Sequence, residues 1–354
     1  MLDQQVQSRI LASLNHEEGD RVPIWDYIDN RAIVDYVCPG WSDYHDAMVK
    51  VYHTLGIDLC RGYGASYSEQ DDGTEHVSEN GTVQRKILGQ TNWLVDYPIK
   101  TLEDLKTFQR EPISEEWANS EWINHLKAQI TRFEPYTMYV PGGGCGFHAT
   151  YGLMGQELFS YAIYDDPVNV ERLLEIETES AYRLAKAAAR AKLCPIYFIG
   201  DDIACKGKLL FSPEFLRRTF VRSLKKCIEP LKAAGIKVIF HSDGYVMEIL
   251  DDMIEAGIDG LNPIEPLAGM DIAFLKKEYG RHLVLVGGVD CSQLLPRGTV
   301  DEVVRATREI IRIAAPGGGF FVGSSSEIVP TTPVENILAF YETCREAGKY
   351  PIAI

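Results

Sequence analysis

The chain has 354 residues, 45% hydrophobic and 24% charged, proportions that exclude a disordered or fibrous protein. Acidic residues outnumber basic ones by 51 to 35, a net charge of −16, which excludes a broad basic face for nucleic acid. No run of 18 apolar residues spans a bilayer, and Met1–Gln5 lacks the charged-then-apolar order of a secretory leader, so a cytoplasmic protein without a membrane partner is expected.

In chain order, the first strand candidate is Val22–Tyr27, followed by a helix near Asp43–Thr54 and a strand at Gly56–Arg61. Residues 75–98 break the pattern. They alternate through Val77, Val83 and Trp93-Leu94-Val95 around Asn80-Gly81, a strong hairpin signal, and predict a β-hairpin excursion on one rim. A helix near Ser114–Phe133, a strand at Tyr136–Val140 and helices near Gly155–Tyr164 and Pro167–Ala191 follow. From there on, strands at Ile196–Gly200, Lys237–His241, Gly260–Pro263, Leu283–Gly287 and Phe320–Gly323 alternate with helices near Pro213–Ala234, Val246–Ala256, Asp271–Glu278, Val300–Ala314 and Val334–Glu346. Met247, Leu250, Met253 and Ile254 share one helical stripe, and Gly235, Gly257 and Gly280 sit where helices must end. Eight strands separated by helices predict an α/β fold, a (β/α)8 TIM barrel, as a single domain over residues 1–354. Eight cysteines, no two closer than 11 residues, offer no Cys-x-x-Cys pair and read as reduced thiols.

In such a barrel the chemistry lies just past the C-terminal ends of the strands. Those positions hold Asp201-Asp202, His241-Ser242-Asp243-Gly244, Glu265, Asp290 and Ser324-Ser325-Ser326-Glu327. Carboxylates converging on one mouth repel unless they share a cation or a proton. His241 and Asp243, two residues apart, reach one side and suit a divalent metal, with Glu265 as a third ligand. The alternative stays open that His241 only hydrogen-bonds in the pocket while Asp243 caps the next helix. Adjacent Asp201 and Asp202 point apart, so one faces the mouth and the other a loop amide. Gly142-Gly143-Gly144-Cys145-Gly146 is neither a Walker loop nor a dinucleotide fingerprint and reads as a flexible loop; His148 beside Tyr151 is a candidate for lining the mouth, with a packed polar histidine as the open alternative.

Six segments together resemble the uroporphyrinogen decarboxylase superfamily. They are Gly200-Asp201-Asp202, Ser212-Pro213-Glu214-Phe215, His241-Ser242-Asp243-Gly244, Asn262-Pro263-Ile264-Glu265-Pro266, Gly287-Gly288-Val289-Asp290 and Pro330-Thr331-Thr332-Pro333-Val334-Glu335-Asn336. Asp20-Arg21-Val22-Pro23-Ile24-Trp25 and Gly155-Gln156-Glu157 fit as well. The resemblance covers nearly the whole chain and implies a TIM barrel.

True decarboxylases of that family bind a polycarboxylate through an arginine-rich segment after the first strand. Here that stretch reads Asp26-Tyr27-Ile28-Asp29-Asn30-Arg31, and Ser326 replaces the family's late histidine, so haem-pathway decarboxylation is not expected. The other branch moves methyl groups to or from a corrinoid protein or a thiol. Its thiol-methylating members hold zinc with His-x-Cys and a late Cys, whereas this chain has Asp243 at the first Cys position and Ser324–Ser326 at the second. What remains is His plus carboxylates, compatible with relatives that demethylate methoxylated aromatics. The resemblance therefore implies a methyltransferase acting on a small methylated donor. Its zinc, on His241, Asp243 and Glu265, would activate the leaving oxygen, and a corrinoid carried by a partner protein would accept the methyl group. Asp202 or Glu327 would protonate the leaving oxygen. Tyr27, His148, Asp290 and Ser326 would contact substrate, and Tyr63, Tyr67 and Phe147 would pack its ring. Frequent pairing in the family makes a homodimer an open expectation. Two alternatives stand: a lyase or decarboxylase for a small non-porphyrin substrate, and a silent ligand-binding relative.

Overall fold

A computed structural model describes residues 1–64, 73–78, 80–87 and 93–352. In chain order its strands are β1 (Leu59–Cys60), β2 (Glu75–Val77), β3 (Val83–Arg85), β4 (Trp93–Asp96), β5 (Met138–Tyr139), β6 (Gly142–Gly143), β7 (Ile196–Gly200), β8 (Ala204–Cys205), β9 (Lys208–Leu209), β10 (Lys237–His241), β11 (Gly260–Ile264), β12 (Val284–Val289) and β13 (Phe320–Ser324).

Six of them form one parallel sheet in the order β13-β12-β11-β10-β7-β6. Beyond its ends the pairing continues in short pieces. Ile24 bridges Val322 of β13, Trp25 bridges Leu59 of β1, and β1 pairs in parallel with β5. β5 leads within three residues to β6, which pairs with β7. The parallel contacts thus pass round eight positions, the arrangement of an α/β barrel. The first-half strands are shorter than expected. Pro23 has no N–H to donate, so residues 22–27 join their neighbours through isolated bridges rather than a ladder. β6 was not foreseen, because glycines carry no strand propensity. At Gly142 a side chain would meet the Phe198 carbonyl oxygen at 2.7 Å, so only glycine lets this edge approach β7.

The strands are buried on both faces, hence their near-continuous apolar runs. One face fills the barrel: Ile196, Phe198, Ile239, Val284, Val286 and Phe321 pack with Trp25, Leu59, Met138 and Val140, while Val6, Ile10 and Leu14 of helix Gln4–Leu14 join the same cluster. Trp25 stacks between Phe198 and Phe321, with ring centroids 5.9 and 6.4 Å away. The opposite face, Tyr197, Ile199, Val238, Phe240, Leu261, Leu285 and Phe320, packs under the helices. Helices Pro167–Ala191 and Val300–Ala314 occupy the predicted ranges, and the latter opens with a Thr299/Glu302 capping box.

The expected hairpin is instead a three-stranded antiparallel sheet, β2-β3-β4, with Glu75 opposite Arg85 and Val77 opposite Val83. Glu79 of its turn lies outside the described residues, as does Tyr67. Among the described residues no helix is long and apolar enough to cross a membrane. All eight cysteines are free, and seven are buried.

Candidate active site

The strand registers set the site. Gly200 and His241, the last residues of β7 and β10, lie level with Asn262 inside β11. At that row the His241 Nδ1–H donates to the Asn262 side-chain carbonyl at 2.7 Å. That bond fixes the tautomer and leaves Nε2 with a lone pair facing the mouth. Burial pushes the imidazole pKa down, and the nearby positive charge of Arg61 pushes the same way, so His241 is neutral and ready to act as a ligand.

Two carboxylates meet Nε2. One oxygen of Asp202 and one of Asp243 each lie 3.9 Å from it. The three ligand atoms are within 4.8 Å of one another, and no cysteine joins the group among the described residues. A neutral imidazole with two partly exposed carboxylates is a donor set that fits a hard or borderline divalent cation, zinc included. Asp202 also accepts from the Asp243 N–H at 3.2 Å, tying the loops after β7 and β10 together. Replacing Asn262 by alanine is expected to weaken divalent-metal affinity by about 10–100-fold through loss of this orientation, read by competition with a chelating dye. Unchanged affinity in a folded variant would contradict the role.

The neighbouring acids divide as alternation along an extended chain requires. Asp201 is 1% exposed, and its carboxylate accepts from the Cys145 and His148 amides. It therefore holds down the Gly142–Gly146 turn and the start of helix Phe147–Gly152, which has no other side-chain cap. Asp201→Ala leaves those N–H groups without an acceptor, and we expect a loss of about 2–4 kcal/mol in urea unfolding. A loss under about 0.5 kcal/mol would show that water replaces the carboxylate without penalty.

Glu265 is not in the His241 group. Its carboxylate accepts from the Gly244 N–H at 3.0 Å. Gly244 has φ +93°, and a side chain there would meet the Cys205 amide nitrogen at 2.6 Å, so only glycine makes this turn. The place expected for Glu265 is taken by Asp202. Asp290 is likewise committed elsewhere: its two oxygens accept from the amides of Ser292, Gln293 and Leu294 and from the Ser292 hydroxyl. Phe147 is fully buried among Phe159, Phe211 and Phe220 and does not line the cleft at His241. Tyr63 pairs its hydroxyl with the His45 ring, and Ser326 lies half-buried after β13.

His148 does line the mouth. Its ring stacks on Tyr151 at 4.7 Å, and its Nδ1 accepts from the Asp202 N–H at 3.4 Å. It borders a cleft of about 330 Å³ shared with Arg61, Phe198, Asp202 and His241. Tyr27 stands beside that cleft under the Arg61 guanidinium, 4.4 Å from ring centroid to guanidinium carbon. Glu327 follows β13, near enough for the charges of Arg61 and Asp243 to act on it. Burial pushes its carboxyl up to about 7, Asp29 and Asp243 add to the rise, and Arg61 opposes it. Burial also lifts Asp26 and Asp29 to about 6 each, Asp26 despite accepting from the Ser324 hydroxyl at 2.6 Å. Around neutral pH the mouth thus holds protons as well as charges. A groove of about 420 Å³ on the outer helices is also charged; in it Arg222 pairs with Glu171 and Glu175, and Lys226 with Glu179.

Arg61 and Asn262 were not singled out from the sequence. Arg61 follows β1 and would have emerged from reading first-half strand ends as the later ones were read. Asn262 lies inside β11, and only the register reveals that it faces His241.

The sequence model of the family described as uroporphyrinogen decarboxylase (URO-D) matches residues 95–347. A methylcobamide:CoM methyltransferase MtaA from Methanosarcina barkeri is 30% identical over 169 residues, 48% of this chain and 46% of that protein. A methylated-thiol–coenzyme M methyltransferase from Methanosarcina mazei is 24% identical over 181 residues, 51% of this chain and 46% of the other. The chain thus aligns with about half the length of these curated relatives. A solved methyltransferase structure from Methanosarcina mazei superposes with a TM-score of 0.70 at 21% identity, covering 96% of this chain and 98% of that one, which shows a shared fold.

Proposed function

This chain belongs to the uroporphyrinogen decarboxylase family, and from that premise we propose that it is a methyltransferase, moving a methyl group from a small O-methylated donor to a corrinoid carried by a partner protein. The observation that carries the reading is the His241–Asp202–Asp243 group at the mouth, built from one nitrogen and carboxylate oxygens with no sulfur. The similarity to methylcobamide and methylated-thiol methyltransferases supports the transfer chemistry. The oxygen-rich ligand set supports an oxygen-bound rather than a sulfur-bound methyl group, since thiolates donate more charge and leave a cation a weaker acid.

His241, Asp202 and Asp243 would hold the zinc, which would supply Lewis-acid polarisation of the ether oxygen, and a reduced corrinoid would be the methyl acceptor. The chain's own residues do the rest. His241, oriented by Asn262, offers one neutral nitrogen; Asp202 and Asp243 offer the negative charge that holds a dication. Because Asp202 is engaged with that group, Glu327 is the proton donor in this reading: burial favours its protonated form, which can hand a proton to the departing oxygen. Phe198 and His148 wall the cleft, with Tyr27 beside it under Arg61, and shield the leaving group from water.

The test is methyl transfer under anoxic conditions, with chemically reduced cobalamin and pairs of O-methyl, S-methyl and N-methyl donors. Accumulation of methylcobalamin with O-methyl donors, matched by demethylated product, is expected. Transfer from S-methyl or N-methyl donors alone, or from none, would overturn the reading.

A further inference from the structure

The mouth is rich in carboxyls, yet one cation in it has no carboxylate within ion-pair distance among the described residues. Arg61 lines the cleft with His241 and Asp202. Elsewhere the buried and half-buried arginines have protein acceptors: Arg9 and Arg21 pair with Asp58, Arg110 with Glu177 and Arg183 with Glu179, while Arg172 and Arg345 donate to the backbone carbonyls of Leu105 and Leu55. Arg61 is held instead by ring faces, its guanidinium carbon 4.4 Å from the Tyr27 ring centroid and 5.4 Å from that of Phe198. A guanidinium lying over aromatic rings keeps its charge while its N–H edge stays open to a planar, bidentate acceptor. The Phe198 ring also lies 5.3 Å from the His241 ring, so Arg61 and the metal-ligand imidazole flank one side chain.

We propose that Arg61 anchors a carboxylate on the methyl donor, so that the substrate class is a small methoxylated carboxylic acid. This rests on the methyl-transfer reading and narrows it. The acid group pairs with the Arg61 fork, and the methoxy oxygen lies toward His241 and Asp202 in the same cleft. A cleft of about 330 Å³ takes one substituted ring or a short chain. Carboxylate pairing also explains why an arginine is kept in an acidic mouth without a resident partner: a salt bridge to the protein would have to break before substrate bound, and aromatic stacking does not.

Calorimetric titration with matched acids and amides tests this without turnover or corrinoid. The probes are 4-methoxybenzoate with 4-methoxybenzamide, and methoxyacetate with methoxyacetamide. Each is added to zinc-loaded and chelator-treated wild type, Arg61→Gln and Arg61→Lys. Expected is an acid in at least one pair that binds wild type 10-fold or more tightly than its amide, with or without zinc. In Arg61→Gln that preference disappears while amide binding changes by less than about threefold; in Arg61→Lys part of it survives. Should Arg61→Gln fail to fold, as judged by circular dichroism, a preference reduced in Arg61→Lys supports the proposal and an unchanged one overturns it. The proposal is also overturned by equal binding of acids and amides to wild type, by an acid preference that survives Arg61→Gln, or by no binding of any probe. Methyl transfer from a neutral ether with no advantage for acids would remove this proposal and leave methyl transfer standing; acid binding at Arg61 without any transfer would do the reverse.

Discussion

Replacing His241 by alanine is expected to strip the bound metal and lower methyl transfer by about three orders of magnitude. The imidazole is the only nitrogen in the His241–Asp202–Asp243 group and its most buried member; the two carboxylates left behind are 36% and 51% exposed and compete with water for any cation. Lewis-acid stabilisation of a developing oxyanion contributes several kcal/mol, and each 1.4 kcal/mol is about a factor of ten in rate. The loss should appear in kcat rather than in donor binding alone. Elemental analysis beside the anoxic assay reads both effects, and His241→Gln, which preserves volume, separates ligation from packing. A His241→Ala protein that keeps stoichiometric metal and wild-type turnover would contradict the assignment.

Glu327→Gln is expected to act in two opposite directions. In the folded protein burial holds this carboxyl near 7, against an ordinary 4.5, so folding favours its protonated form. The stability that form contributes is present below about pH 4.5 and is lost as pH rises through about 7. Glutamine cannot ionise and keeps it. In chelator-treated protein the variant should therefore gain on wild type between about pH 4.5 and 7, reaching about 2–3 kcal/mol at pH 8 in urea unfolding. Activity should move the other way. Without the proton donor, transfer falls by about 10²-fold or more, and the loss of rate on the alkaline side of about pH 7 disappears from the profile. A variant that is less stable at pH 8 than wild type, or that retains full turnover, would show that the carboxyl is neither buried against its charge nor used as an acid.

The second half of the barrel was legible because each strand there is buried on both faces and closed by turn residues. Ile196–Gly200 and Lys237–His241 match the observed strands residue for residue. The first half was less so. Residues 22–27 carry Pro23 and make single bridges, and β6 consists of two glycines whose pairing reflects close approach rather than propensity. For the site, position past a strand end located His241, Asp243, Asp202 and Glu327, and alternation separated Asp201 from Asp202. What such reading misses is distance across strands. Glu265 and Asp290 stand at the right ends, but each carboxylate is taken by backbone amides of a neighbouring turn, a competition set by local φ values and register. Phe147, expected to pack a substrate ring, is buried instead: the Asp201 clamp on the Gly142–Gly146 run starts the helix that carries it.

An oxygen-rich metal group on His241, Asp202 and Asp243 is open to a direct measurement, zinc K-edge X-ray absorption on protein of measured metal content. About one zinc per chain is expected, with a shell of nitrogen and oxygen neighbours at about 2.0–2.2 Å and no sulfur. The signal should vanish in His241→Ala. A sulfur shell at about 2.3 Å, or zinc that stays in place when His241 is removed, would contradict that metal group.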